Sequence, residues 1–266
     1  YGDGIFETCR LHQGEPLLWP LHLQRLRLGA ERLRIPLNLE ELEQQRRQIQ
    51  TATAQAGHLN GVLKVILTRG QGGRGYAPPN NPNPSLCWQF FPGIKTNWTG
   101  NARSGIQLRV CDQRLSENPG LAGIKHLNRL DYVLARSEWG DEYPEGLLLD
   151  RRGHVIEGTL SNLFAQVDDQ LCTPTLELAG VAGVMRRFII DTLAPQLGMS
   201  VVERQLSLED LAEARELFVC NSVFGIWPVI RLVPHKLSYS IGPTTLELQS
   251  AWQRFVATSA PVEEDR

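Results

Sequence analysis

The change of period within the first thirty-five residues constrains this chain most. IFETCRL alternates like a strand, placing Phe6 and Thr8 on one face and Ile5, Glu7 and Cys9 on the other. After an HQGEP turn, HLQRLRLGAERL, residues 22–33, sets leucines at helical spacing with arginines on the opposite side. A strand followed at once by an amphipathic helix commits the chain to α/β organisation. A polar, glutamine-rich helix over 39–57, a strand GVLKVILTRG, a long loop GQGGRGYAPPNNPNPS and a strand LCWQFFP complete an N-terminal α/β domain, residues 1–93. Because YGDGIFET has no initiator methionine and starts inside what reads as a hairpin, a preceding natural segment is expected.

GIKTNWTGNARSG is turn-rich and aperiodic, so residues 94–105 read as a linker and 106–266 as a larger C-terminal domain. That domain is expected to run IQLRV (strand), a helix from about His126, GLLLD (strand), HVIEGTLSNLFAQV (strand), a helix from Val184, and SVVER (strand). A helix capped by Ser207, the strand ELFVC and a final helix over 243–258 follow.

A net charge of -2 argues against nucleic acid, which calls for a basic surface excess. The five cysteines are scattered without metal-ligand spacing, as expected of reduced, mostly buried thiols with no metal site. No apolar run approaches the roughly 20 residues of a membrane span, and the expected location is the cytoplasm.

Several residues stand out chemically. Only four lysines, Lys64, Lys95, Lys125 and Lys236, occur among 27 basic residues. Lys125 precedes a helix whose Leu127, Leu130, Val133 and Leu134 are expected to face a core. It is either a surface lysine or an amine nucleophile whose pKa an apolar wall lowers. Glu157, inside an apolar strand, either points outward or needs a partner such as a cationic ring nitrogen. GQGGRG fits GxGxxG with Gly70, Gly72 and Gly75, but YAPPNNPNP cannot be the helix a dinucleotide site requires. What remains there is a flexible loop, or Arg74 as a carboxylate clamp. GVAGVMRRF opens a helix at Val184 and Met185 whose amides could meet an anion; VCNSVFG offers Ser222, and HLQRL offers Arg25.

HLQRL, IKHLNRL, VIEGTLSNLF, GVAGVMR and VCNS ahead of WPV, in this order, resemble the fold-type IV pyridoxal-phosphate enzymes: branched-chain aminotransferases, D-amino-acid aminotransferases and 4-amino-4-deoxychorismate lyases. The resemblance implies a two-domain α/β fold and pyridoxal 5'-phosphate as cofactor. It implies Lys125 as the amine that bonds the cofactor, Glu157 as partner of the pyridine nitrogen, and Arg25 with the Val184 and Met185 amides and Ser222 at the phosphate. TRG followed by GGRGY, and AGIKHLNRL, look most like the lyases, which release pyruvate from 4-amino-4-deoxychorismate to leave 4-aminobenzoate for folate. D-amino-acid aminotransferases carry an arginine and, two positions on, a histidine; here those positions are Arg74 and Tyr76, so only the arginine matches. On the lyase reading Arg74 and Tyr76 hold a substrate carboxylate, and Phe6 and Thr8 line the pocket. Arg129 is either a further contact or a helix-surface charge. The resemblance also implies a homodimer. Its rivals are an aminotransferase on the same scaffold and a non-catalytic cofactor- or anion-binding protein.

Overall fold

The computed structural model describes residues 2–94 and 97–259. They fall into two compact units. One holds 2–94, 124–128 and 256–259; the other holds 97–123 and 129–255.

The first unit comprises β1 (Gly4–His12), β2 (Glu15–Pro16), α1 (Trp19–Leu33), α2 (Leu39–Gln55), β3 (Gly61–Thr68) and β4 (Ser85–Pro92). Its antiparallel sheet has the order β2-β1-β3-β4, with Phe6 opposite Ile66 and Thr8 opposite Lys64. Alternation works here as the sequence implies. Ile5, Cys9, Leu63, Val65 and Leu67 turn inward to pack with Leu26, Ala30 and Leu42. Each large side chain so buried contributes about 1.5–3 kcal/mol. Asn38 starts α2 by accepting from the N–H groups of Glu40 and Glu41, whose own acidic side chains suit the positive helix end.

Lys125 does not lead straight into a helix. Residues 124–128 are not helical and bridge to β1 at His126: the Phe6 N–H donates to Lys125 O and the Leu127 N–H to Gly4 O, both at 2.9 Å.

The second unit contains α3 (Asn97–Ser104), β5 (Ile106–Arg114), α4 (Leu130–Arg136), β6 (Glu145–Leu149), β7 (Val155–Gly158), β8 (Asn162–Val167) and β9 (Gln170–Pro174). A helical run follows: α5 (Val184–Phe188), a π-helical turn (Ile189–Leu193) and α6 (Ala194–Gln196). Then come β10 (Val201–Arg204), α7 (Leu208–Glu213), β11 (Glu216–Asn221), β12 (Gly225–Val233) and β13 (Leu237–Ser238). The last helix, α8 (Pro243–Thr258), extends into the first unit. The large sheet runs β10-β9-β8-β11-β12-β5-β6-β7, with β13 against β12; β9–β10, β5–β12 and β5–β6 are parallel. Its core gathers Leu108, Leu147, Leu163, Leu217, Val219 and Val229.

Further expectations need correction. The segment read as a linker holds α3, because Trp98 and Ala102 pack on the large core and tertiary contact overrides weak propensity. HVIEGTLSNLFAQV is two strands separated by a turn over 159–161. β9 and β12 form where the sequence reading expects no strand. Leu130, Val133 and Leu134 are 75%, 56% and 56% exposed, while Ala135 is buried and Tyr132 packs inward. Periodicity identifies an apolar face, and here the small residue faces the core.

Candidate active site

In the first unit, the backbone bonds to β1 put the Lys125 amine 4.7 Å from the center of the Phe6 ring. Phe6 and Thr8 share the sheet face opposite the core with Lys64, whose amine is 5.2 Å from the same ring. Two of the chain's four lysines thus flank one aromatic side chain.

The inward residue between them, Glu7, is almost wholly buried and accepts two bonds from Arg25: Nε to Oε1 at 2.8 Å and Nη2 to Oε2 at 2.6 Å. His22, one helical turn before Arg25 on α1, meets Glu7 Oε2 through Nδ1 at 2.6 Å. Burial alone would raise the Glu7 carboxyl, but the charge and hydrogen bonds of Arg25, with those of His22, bring it down to about 2. Burial lowers the His22 pKa against the pull of Glu7, and the charges of Arg25 and Lys125 add to the lowering. A neutral His22 therefore donates from Nδ1, leaving Nε2 buried without a hydrogen-bond partner among the described residues. Arg25, expected at a phosphate, is thereby locked in orientation by a two-pronged ion pair.

Arg74 and Tyr76 lie on the exposed loop between β3 and β4, with Tyr76 88% exposed.

In the second unit Glu157 on β7 is buried, not outward-facing. The Tyr132 hydroxyl donates to its Oε1, while Asn162 Nδ2 at 3.1 Å and the Val181 N–H at 2.9 Å donate to Oε2. Burial and the neighboring Glu157 charge push the Tyr132 phenol well above its ordinary value, so it remains a donor. The expected need for a partner is met by the protein itself. These three donors are neutral, so they hold the carboxylate without cancelling its charge. Asn162 also donates to Val181 O at 2.9 Å, and its Oδ1 lies where a side chain at Gly183 would collide, at 1.9 Å from an added Cβ. Glu157 is therefore tied through Asn162 to the start of α5. There Val184 and Met185 are buried, in a first turn whose N–H groups have no acceptor within the helix. Ser222 is buried in the β11–β12 turn, which Asn221 closes by accepting from Val223 and Phe224. Arg129 lies 4.7 Å over the Tyr132 ring.

Glu7, His22, Lys64, Tyr132 and Asn162 were not singled out from sequence. His22 and Arg25 are three residues apart and so share a helix face, and the scarcity of lysine pointed to Lys64 as much as to Lys125. The donors around Glu157 depend on long-range register that no local pattern carries.

The donor set has a definite chemical character. One unit presents an amine and a fixed guanidinium, suited to a carbonyl and a phosphate. The other presents a buried carboxylate suited to a protonated ring nitrogen, beside a close-packed glycine at a helix start.

Comparison with known proteins agrees with this character. The family model for amino-transferase class IV matches residues 4–232. An aminodeoxychorismate lyase from Vibrio harveyi is 36% identical over 94% of this chain and 91% of its own length. Among solved structures, the 4-amino-4-deoxychorismate lyase of Pseudomonas aeruginosa superposes with a TM-score of 0.87 at 41% identity, covering 96% of this chain and 91% of that one. The Escherichia coli branched-chain amino acid aminotransferase gives a TM-score of 0.83 at 26% identity, covering 99% and 89%. From the strand that carries Phe6 to the turn that carries Ser222, the chain belongs to the class IV aminotransferase family, with the fold-type IV architecture of its pyridoxal-phosphate enzymes.

Proposed function

We propose that this protein is a pyridoxal-phosphate-dependent 4-amino-4-deoxychorismate lyase, forming 4-aminobenzoate and pyruvate. The observation that carries this reading is the 41% identity to the Pseudomonas aeruginosa lyase over nearly the full chain, against 26% to the Escherichia coli branched-chain aminotransferase.

When bound, pyridoxal phosphate supplies a conjugated cationic ring that takes up the electron pair left on a carbon that loses its proton. Lys125 provides the amine that anchors the cofactor carbonyl. With the cofactor and substrate bound, Lys125 Nζ would take the proton from the amine-bearing ring carbon. The adjacent carbon–oxygen bond would then break, the enolpyruvyl group leaving as enolpyruvate that takes up a proton at its methylene carbon to become pyruvate, and the carbon ring would become aromatic. Glu157 keeps the pyridine nitrogen protonated; the neutral donors around it preserve the charge this task needs. Arg25, Ser222 and the Val184 and Met185 amides hold the phosphate. Phe6 and Thr8 line the substrate side, with Lys64 adding a cation suited to a substrate with two carboxylates. Arg74 and Tyr76 serve a substrate carboxylate, and Arg129 is assigned to Tyr132 rather than to substrate.

A homodimer is the expected assembly, since two-fold symmetry is the commonest arrangement. The cytoplasm is the expected compartment; no helix among the described residues is long and apolar enough to cross a membrane.

The deciding experiment supplies 4-amino-4-deoxychorismate to the cofactor-loaded protein without any keto acid. Equal amounts of pyruvate and 4-aminobenzoate over many turnovers establish the lyase. Turnover only with an amino-acid and keto-acid pair would reassign it as an aminotransferase, and an unresponsive cofactor spectrum would leave a binding protein.

A further inference from the structure

Glu145 opens β6 and is 1% exposed, yet among the described residues it forms no salt bridge. Its Oε1 accepts from the N–H groups of Gly146 and Thr159, each at 2.9 Å, and from the Thr159 hydroxyl. Its Oε2 accepts from the Leu160 N–H at 3.0 Å and the Ser161 hydroxyl at 2.7 Å. Four of these five donors belong to the turn between β7 and β8, which closes on itself through the Gly158 N–H and Ser161 O at 2.6 Å. A Cβ at Gly158 would lie 2.3 Å from Ser161 Oγ and 3.0 Å from Glu145 Cδ, so the turn wraps the carboxylate without room for a side chain. Only an acceptor without hydrogens of its own satisfies five converging donors.

This turn begins just after Glu157 and ends just before Asn162. Those two side chains must meet each other and Val181 for the Glu157 carboxylate to be held. β6 fixes the same point a second time by pairing Leu148 with Glu157 and Leu147 with Gly158.

We propose that Glu145 is a positioning residue: by gathering the Thr159–Leu160–Ser161 donors it sets the Glu157–Asn162 pair and so aims the Glu157 carboxylate at the cofactor ring. The inference rests on the reading of Glu157 as the ring-nitrogen partner.

The test uses the holoenzyme and four variants: Glu145→Gln, which places an amide among the donors; Thr159→Val, which removes one hydroxyl; Thr159→Ser, which restores it; and Glu157→Gln. Glu216→Gln is the control. Glu216 is another buried carboxylate held by neutral donors, at Thr244 and Thr245, near the end of β8 away from Asn162. Cofactor affinity is measured by equilibrium dialysis, the pH midpoint of the bound cofactor's absorption by titration, and Tm by calorimetry. Expected are an affinity weakened roughly tenfold and a displaced midpoint for Glu145→Gln and Thr159→Val, recovery in Thr159→Ser, and a lowered Tm alone for Glu216→Gln. If Glu145→Gln does not fold, Thr159→Val against Thr159→Ser decides. Wild-type affinity and midpoint in Thr159→Val, or equal changes in Glu216→Gln, would overturn the positioning role while Glu157→Gln still moves the midpoint. An unmoved midpoint in Glu157→Gln would instead overturn the Glu157 reading, and the inference with it.

Discussion

In the first unit Glu7 is buried between Arg25 and His22, whereas in the second Glu157 and Glu145 are buried among hydroxyl, amide and backbone N–H donors. The two solutions have opposite electrical consequences. Glu7 falls to about 2 because cations outweigh its burial, and its negative charge is spent on fixing a guanidinium. Burial raises Glu145 above the ordinary carboxyl value against the pull of its neutral donors. Charge pairing suits a residue whose task is to hold another protein group still. Neutral donors suit Glu157, whose charge has to remain available to a cationic ring.

Several substitutions would break or sharpen this contrast. Lys125→Ala should abolish turnover together with the absorption band of the bonded cofactor, and retention of either would remove Lys125 from the chemistry. Glu7→Gln leaves Arg25 and His22 buried without their counter-charge, so denaturant unfolding should show a loss of about 3–5 kcal/mol. A loss no larger than that of Glu157→Gln would erase the proposed difference between the units.

Acid titration of the unmutated protein tests the same pair. A folded-state value below the unfolded one means that the Glu7 contribution is complete above about 4.5 and is lost as pH falls toward about 2. That contribution is on the order of 3 kcal/mol. His22, whose value is also lowered, adds stability that is complete above 6.5 and declines below it. Unfolding measured across this range in Glu7→Gln should lack the lower component.

Glu157→Gln should bind cofactor and fold normally, since an amide oxygen can still accept from Asn162 and Val181, yet turnover should drop by about two orders of magnitude. A rate equal to wild type would deny its charge any role. Ser207→Ala sets the scale for a neutral bond elsewhere in the second unit. Ser207 and Asp210 form a reciprocal cap on α7, so its loss should cost about 1 kcal/mol in thermal or denaturant unfolding.

The sequence made some of this legible for physical reasons. β1, α1, α2, β3, β4 and α8 each carry their own period and so announce themselves locally, and Ser207 marks α7 by its cap. α3 lacks such a signal because Trp98 and Ala102 become meaningful only when the large core is there to receive them. The break between β7 and β8 was hidden because the group that organizes it, Glu145, lies twelve residues before Glu157 in what reads as an ordinary strand start. Lys125 and Glu157 drew notice as a rare residue and a costly one. Tyr132 and Asn162 are neither rare nor costly until the fold brings them to the same carboxylate.

The anchoring of residues 124–128 also bears on how this protein can change over evolutionary time. Lys125 is set against Phe6 by hydrogen bonds between main chains, which nineteen of the twenty amino acids can make. Side chains around the lysine are thus free to drift toward new substrates while the amine keeps its station. The exception is proline at a donor: Leu127→Pro removes the N–H that binds Gly4 O and would unmoor the lysine without touching any side chain that performs chemistry. A library built to alter specificity on this scaffold can randomize widely beside Lys125, provided it withholds that one residue type at positions 6 and 127.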